Sequence, residues 1–340
     1  MSKFSFNRPR LYSTFLSAAY CSDNKPFEVY STVIADDITV RTPDALLSGT
    51  ATIELIQNCC PSISNAAEVL VCDIPALLCN IRIASDGMKL ELNATCPGCS
   101  TQNTYEINLN DILVRLSAEK WFTPLILPDD NLKIIFYPPS YETYNNFAIE
   151  EFKLKKQLFQ ITQLASFQEH EHLISALLEQ QQKNQAEYYS NCITRIEIDH
   201  SQNVTNPNHI KEWFGQADLK ICEQIKQHIT AALEQCNLPK LSIKCDTCNV
   251  EYSSPVDIDH CNHFRQKLIQ ASESDIVNII ESMDKEIKSI TADMLKLCWF
   301  MRGSISYSEA FGLTNIERDM IGKIIQENIE ISKKINQPIF

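Results

Sequence analysis

Two short cysteine motifs with matching surroundings constrain this chain more than any other feature. Cys96-Pro-Gly-Cys99 and Cys245-Asp-Thr-Cys248 each follow a run of alternating polar and apolar residues, which is typical of a β-strand. In both copies a β-branched residue stands eight positions after the second cysteine. A single CxxC pair is a weak signal, whereas two pairs with the same flanks indicate an internal duplication. We therefore expect two β-hairpins, each carrying a cysteine knuckle.

The chemistry of the pairs predicts a metal site. A CxxC turn brings two thiolates to one side of a hairpin tip, and a structural zinc ion takes four such donors in a tetrahedron. Each motif supplies only two donors, so the most economical arrangement is one zinc ion shared by both knuckles. The predicted ligands are Cys96, Cys99, Cys245 and Cys248.

Other interpretations of these cysteines stay open. Redox CxxC pairs usually lie at the start of a helix, which lowers the thiol pKa, whereas strand-like residues flank both pairs here. The pairs can also be small buried residues, or a site that has lost its metal. A nearby stretch, His260-Cys261-Asn262-His263, offers alternative ligands. No second pair lies at zinc-finger spacing from it, so we interpret this stretch as the start of the next element.

Composition narrows the classes of partner. The chain has 340 residues, a net charge of -13 and 14 cysteines. An acidic chain is a poor match for nucleic acid, because phosphate binding requires a basic face. The first 24 residues lack the apolar core of a signal peptide, and no apolar run approaches membrane-spanning length. We therefore expect free thiols in a reducing cytoplasm, and neither nucleic acid nor membrane as a partner.

The order of patterns predicts an α+β fold with a duplicated zinc-knuckle β-hairpin core, a long helical insertion and a C-terminal helical layer. Helical periodicity without glycine or proline indicates the insertion, and a capping signature opens the last layer. Near the N-terminus, composition predicts a strand at residues 38–41 after a turn at Asp36-Asp37. The predicted domains are residues 1–139, 147–193, 200–265 and 272–340.

Part of this order resembles a known family. The motif consists of an aspartate before an apolar helix, an Ile-Arg pair inside it, a glycine, a CPxC knuckle and a strand with leucine. Those positions are Asp73, Ile81-Arg82, Gly87, Cys96-Pro-Gly-Cys99 and Leu109. Over roughly residues 30 to 115 the chain resembles the baseplate hub and hub-assembly proteins of T-even-type contractile-tailed bacteriophages. The resemblance implies a virion structural or tail-assembly protein.

Two functions follow as hypotheses. The chain has no GxSxG, P-loop, HExxH or dinucleotide motif, which disfavours an enzyme. With the resemblance, we expect a non-enzymatic component of the virion's tail baseplate, assembled in the host cytoplasm as part of a hetero-oligomeric assembly. Its helical surfaces would hold other baseplate or hub proteins. The alternative is a cytoplasmic metal- or thiol-dependent enzyme with an unrecognised Cys/His site.

Overall fold

The computed structural model describes residues 8–17, 26–128, 131–163, 171–198, 202–256, 258 and 260–335. These residues form many helices and several small antiparallel sheets, which confirms the α+β class. The strands are β1 (Arg10–Ser13), β2 (Phe27–Tyr30), β3 (Lys89–Thr95), β4 (Gln102–Asn108), β5 (Leu125–Leu127), β6 (Leu132–Phe136), β7 (Ile193–Ile198), β8 (Gln202–Val204), β9 (Lys240–Lys244) and β10 (Glu251–Pro255).

The helices fall into an N-terminal, a central and a C-terminal group. They are α1 (Ile34–Thr39), α2 (Pro43–Ser48), α3 (Thr50–Cys59), α4 (Ile74–Asp86), α5 (Leu109–Leu113), α6 (Glu119–Phe122), α7 (Tyr141–Thr162), α8 (Glu171–Asn191), α9 (Pro207–Gln216), α10 (Leu219–Cys236), α11 (His260–Gln270), α12 (Glu273–Phe300), α13 (Tyr307–Phe311) and α14 (Asn315–Ile335). No helix in the described ranges is both long and apolar enough to cross a membrane.

One expectation near the N-terminus is wrong. The first half of the predicted strand at residues 38–41 is the end of helix α1 and the second half is the turn after it, whereas the predicted turn at Asp36-Asp37 lies inside that helix. The Asp36 carboxylate accepts the Val33 backbone N–H at 2.9 Å, which satisfies a donor at the helix start. Ile34 is fully buried. Capping and burial together therefore override the β-propensity of the sequence.

The long helices α7 and α8 are inserted between neighbouring strands of one sheet. That sheet has the order β5-β6-β7-β8, and β6 precedes the two helices while β7 follows them. Ile134 of β6 pairs with Ile196 of β7, and both side chains are fully buried against α10. The first lobe and the segment after the insertion thus share a sheet. The four-domain division remains a prediction.

Helices α7 and α8 pack on each other and on the body of the protein. The buried Glu151 carboxylate of α7 accepts hydrogen bonds from Gln181 and Asn184 of α8, at 3.0 and 3.2 Å. Helix α7 also contacts α2 and α11, and α8 contacts α9 and α10. These contacts hold both helices of the predicted insertion against the fold.

Both knuckle hairpins rest on the same hydrophobic core. Helices α3 and α4 supply half of the buried residues of that core, including the fully buried Ile56 and Cys79. Leu90 and Ile107 of the β3–β4 hairpin pack against it, and so does Leu241 of the β9–β10 hairpin. A common core therefore fixes where the two hairpin tips meet.

Candidate metal centre

The first knuckle comprises β3, the turn at residues 96–99 and β4. Thr95 pairs with Gln102 at the end of the hairpin. The Cys96 backbone N–H donates to Thr101 O at 2.9 Å, and Ser100 N–H donates to Cys96 O at 2.8 Å. Ser100 has a φ of 58°. These bonds wrap the chain around the first cysteine, so both side chains lie at the hairpin tip.

The second knuckle comprises β9, the turn at residues 245–248 and β10, and its backbone follows the same pattern. Lys244 pairs with Glu251, the same offsets from the cysteines as in the first knuckle. Cys245 N–H donates to Val250 O and Asn249 N–H donates to Cys245 O, each at 2.9 Å. Asn249 has a φ of 59°, a left-handed conformation that asparagine tolerates well. The two turns therefore have matching hydrogen bonds and matching backbone conformations.

The two knuckles bring all four predicted ligands together. The four Sγ atoms lie within 4.8 Å of one another. Cys96 Sγ is 3.5 Å from Cys248 Sγ, and Cys99 Sγ is 3.6 Å from Cys245 Sγ. In a tetrahedral zinc site with Zn–S bonds of about 2.3 Å, neighbouring sulfurs lie about 3.8 Å apart. The sulfur positions therefore fit a four-coordinate zinc ion.

Donors around the sulfurs favour the thiolate form that binds metal. Backbone N–H groups of Cys248 and Thr247 point at Cys245 and lower its pKa to about 6. The Thr101 hydroxyl and backbone lower the pKa of Cys99. Asn103 Nδ2 donates to Cys245 Sγ across the knuckles at 3.4 Å. Such outer donors orient metal ligands and stabilise their charge.

Cys248 shows the opposite tendency. The Val250 backbone N–H lowers its pKa, but removal from water and the three neighbouring sulfurs outweigh this effect and raise the pKa to about 12. Four thiols this close cannot all ionise unless positive charge compensates them. A divalent cation supplies that charge, which is a second reason why the residues fit zinc.

Contacts between the knuckles add to the site. Tyr105 Oη donates to Lys244 O at 2.9 Å, and Tyr252 Oη donates to Ala94 O at 3.4 Å, so each knuckle reaches the other. A Cβ atom at Gly98 would lie 3.3 Å from Val250 Cγ2. The sequence does not indicate these residues as partners, because their roles depend on how the two hairpins face each other.

The alternative ligands lie elsewhere. His260 begins helix α11, as expected from the sequence. Cys261 is buried, with its Sγ 3.2 Å from Thr52 Oγ1, and it is not part of the four-sulfur cluster. In the described residues no disulfide links the cysteines. Burial raises the pKa of thiols such as Cys60 and Cys79 to about 12, which makes them poor nucleophiles.

Comparison with known proteins identifies the family. A family model described as T4 bacteriophage base plate protein matches residues 33–264, a span that contains both knuckles and the inserted helices. No curated protein matches the chain, and no solved structure matches it. Since the matched span covers more than half of the 340 residues, the chain belongs to the T4 bacteriophage base plate protein family.

Proposed function

We propose that this chain is a non-enzymatic structural component of a contractile-tail baseplate, located in the hub region of the virion, and that one zinc ion stabilises it. The family match over residues 33–264 carries the proposal. The hub position rests on the narrower motif around Asp73, Gly87 and the first knuckle. Assembly would take place in the host cytoplasm, before the tail is complete.

The proposed zinc ligands are Cys96, Cys99, Cys245 and Cys248. Four thiolates fill a tetrahedral zinc ion, whereas catalytic zinc sites keep one position open for water or substrate. When bound, zinc would supply a cross-link between two hairpins that lie far apart in the sequence. The chain's own residues fix the positions of the sulfurs through the turn hydrogen bonds and the shared core. This closed arrangement supports a structural role over a metal-dependent enzyme.

We also infer that the two knuckles are copies of one ancestral unit. The matching strand register, turn hydrogen bonds and positive φ values support this inference. Superposition of the backbone of residues 91–107 on the equivalent residues 240–256 tests it. If the strands of the two hairpins do not superpose and only the turns do, the similarity is better explained by independent origin of two CxxC turns than by duplication.

Exposed apolar groups on helix α12 support contact with another baseplate protein. Leu295 is 52% exposed and Trp299 is 81% exposed. They are four residues apart and therefore lie on one face of the helix. Adjacent exposed apolar side chains are a feature of interaction sites, and tryptophan is enriched among residues that dominate binding energy in interfaces. We propose that this face binds a neighbouring protein in the baseplate.

The test uses a phage that encodes this chain. Deletion of the gene should yield particles without functional tails, and Trp299→Ala should reduce incorporation of the folded protein into tails by about tenfold. Val114→Ala is the matched control, because Val114 is 86% exposed on helix α5's C-terminal side. Normal tails in the deletion mutant would refute the baseplate role. Normal incorporation of Trp299→Ala would refute only the proposed surface.

Deletion of the helical insertion is a poor test of partner binding. Residues 147–193 include Leu154, Tyr188 and Cys192, all of which are buried. Their removal would expose the core and unfold the chain. Leu173→Glu on helix α8 changes a side chain that is more than half exposed, so it probes a binding role of the insertion in a folded protein.

A further inference from the structure

The two cysteines of each knuckle differ in how far solvent reaches them. Cys96 and Cys245, the first cysteine of each motif, are buried. Cys99 and Cys248, the second cysteine of each motif, are partly exposed. A reagent in solution therefore reaches Cys99 and Cys248 before the other two sulfurs. Which of these two reacts first depends on the groups that surround each sulfur.

The first difference between them is a hydroxyl group two residues further along the chain. The backbone N–H groups of Thr101 and Val250 point at Cys99 and Cys248 in the same way. Thr101 Oγ1 also lies 3.3 Å from Cys99 Sγ, whereas the valine side chain has no donor. In a zinc site both sulfurs are thiolates, and a hydrogen bond to a thiolate stabilises its charge and lowers its nucleophilicity. Cys248 lacks this protection.

The second difference is the residue inside each CxxC turn. A Cβ atom at Gly98 would lie 3.7 Å from Cys248 Sγ, so the glycine leaves that sulfur uncovered on one side. The equivalent residue of the second knuckle is Thr247, which carries a side chain. Sulfur contacts between the knuckles are reciprocal, at 3.5 and 3.6 Å. By this symmetry we expect Thr247 to lie beside Cys99 as Gly98 lies beside Cys248.

We infer that Cys248 is the ligand at which the proposed zinc site opens, and that it is a modification site for soft electrophiles. This inference rests on the zinc proposal. The Cys248 thiolate attacks an electrophilic carbon, a C–S bond forms, and the leaving group departs with its bonding electron pair. The product is a neutral thioether. Because zinc binds thiolate sulfur, the reaction removes one of the four charged ligands.

Loss of one ligand affects the whole site. Cys96, Cys99 and Cys245 still offer three thiolates, but a structural zinc site in proteins is closed by four ligands. The open position lies on the solvent side, where Cys248 was, so a chelator can attach there and remove the metal. A single modification therefore releases zinc and removes its cross-link between the hairpins.

The first experiment follows a brief reaction of the full zinc-loaded chain with iodoacetamide. Peptide mass spectrometry measures modification at each cysteine, and a zinc-binding dye measures metal release. We expect Cys248 to react about fivefold faster than Cys99, the ratio that one hydrogen bond supports, and zinc release to follow modification of Cys248. Cys298 is partly exposed and lies outside the site, so its modification should release no zinc.

Exchange of the residues that follow the knuckles tests the cause of this order. Val250→Thr supplies the missing hydroxyl and should slow modification of Cys248 about threefold to tenfold. Thr101→Val removes a hydroxyl and should speed modification of Cys99 by a similar factor. Threonine and valine have nearly the same shape, so each variant is the control for the other. Gly98→Ala places a methyl group 3.7 Å from Cys248 Sγ and should slow that cysteine alone among the two exposed ligands.

The possible results distinguish this inference from the zinc proposal. If Cys99 reacts first in the zinc-loaded chain, or if the two exchanges leave both rates unchanged, the role of Cys248 is overturned and the zinc site is not. If elemental analysis finds no zinc in the chain and added zinc does not bind, the zinc site itself is refuted, and the inference about Cys248 with it.

Discussion

The two knuckles share a backbone but differ in the side chains that connect them. Asn103 and Tyr252 occupy equivalent positions, each four residues after the second cysteine of its motif. Asn103 reaches across to Cys245 Sγ, whereas Tyr252 reaches across to the Ala94 carbonyl. The turn geometry is therefore what a four-sulfur site requires of both copies. The side-chain contacts between the knuckles differ, because only the first knuckle donates a side-chain hydrogen bond to a sulfur atom of the other.

Anchoring to the rest of the fold also differs. The first hairpin has strands of seven residues and contacts the core through Leu90 and Ile107. The second has strands of five residues; Leu241 packs against that core, and Val256, directly after β10, is buried in it. Since five cross-strand residue pairs hold the second hairpin and seven hold the first, we expect the second knuckle to depend more on a bound metal.

Loss of a ligand should have the largest effect. Cys245→Ser removes one fully buried donor, so we expect zinc content to fall to near zero and unfolding free energy to fall by about 4 kcal/mol or more. Elemental analysis and denaturant unfolding measure these changes. Hydrogen exchange should then show residues 240–255 losing protection before residues 89–108. Cys222→Ser, outside the site, is the control. Equal loss in both hairpins would contradict the inequality between the knuckles.

Exchange of the turn residues should have a smaller effect. Gly98 and Thr247 are equivalent, but Gly98 faces Val250 closely and Thr247 is exposed. Gly98→Thr should cost about 2 kcal/mol through overpacking. Thr247→Gly, the converse change, should cost no more than about 1 kcal/mol, an effect of backbone entropy. Thermal unfolding of both zinc-loaded variants measures the difference. If the two variants lose equal unfolding free energy, the close approach of Gly98 to Val250 does not constrain the first knuckle.

Removal of the outer donor should change metal affinity more than stability. Asn103→Ala removes the hydrogen bond to Cys245 Sγ, so we expect about tenfold weaker zinc binding in a competition assay with a chelator. The equivalent change, Tyr252→Phe, removes no bond to sulfur and should leave zinc affinity within about twofold of wild type, below the range for outer-shell donors. An equal loss in both variants would show that the contacts act through general stability.

The smallest effect concerns the tyrosine hydroxyls. Tyr105→Phe removes a hydrogen bond of 2.9 Å to Lys244 O, and Tyr252→Phe removes one of 3.4 Å to Ala94 O. The first change should cost about 1 kcal/mol, and the second about half as much because its bond is longer. Denaturant midpoints of the two variants provide the comparison. If Tyr252→Phe costs more unfolding free energy than Tyr105→Phe, the Tyr252 hydroxyl makes the stronger hydrogen bond between the knuckles.

Local patterns made part of this fold predictable. CxxC spacing indicated which four cysteines meet, because each turn is a local structure, and periodicity indicated the long helices. The insertion of α7 and α8 between β6 and β7 was not predictable, since strand pairing across that distance leaves no local signal. Asp36 illustrates the same limit at short range, because its capping role depends on a helix that its β-branched neighbours disfavour.

The distance between the two motifs has a consequence for synthesis. Cys99 and Cys245 are 146 residues apart in the chain. A ribosome that adds about 5–20 residues per second needs roughly 7–30 s to pass from one to the other. During that time the nascent chain contains only two of the four predicted ligands, Cys96 and Cys99. Helices α7 and α8 must be synthesised before Cys245 and Cys248 can join them. Under the zinc proposal, metal retention requires a chain that extends beyond Cys248, and ribosome-bound fragments that end before Cys245 should lose zinc to a chelator.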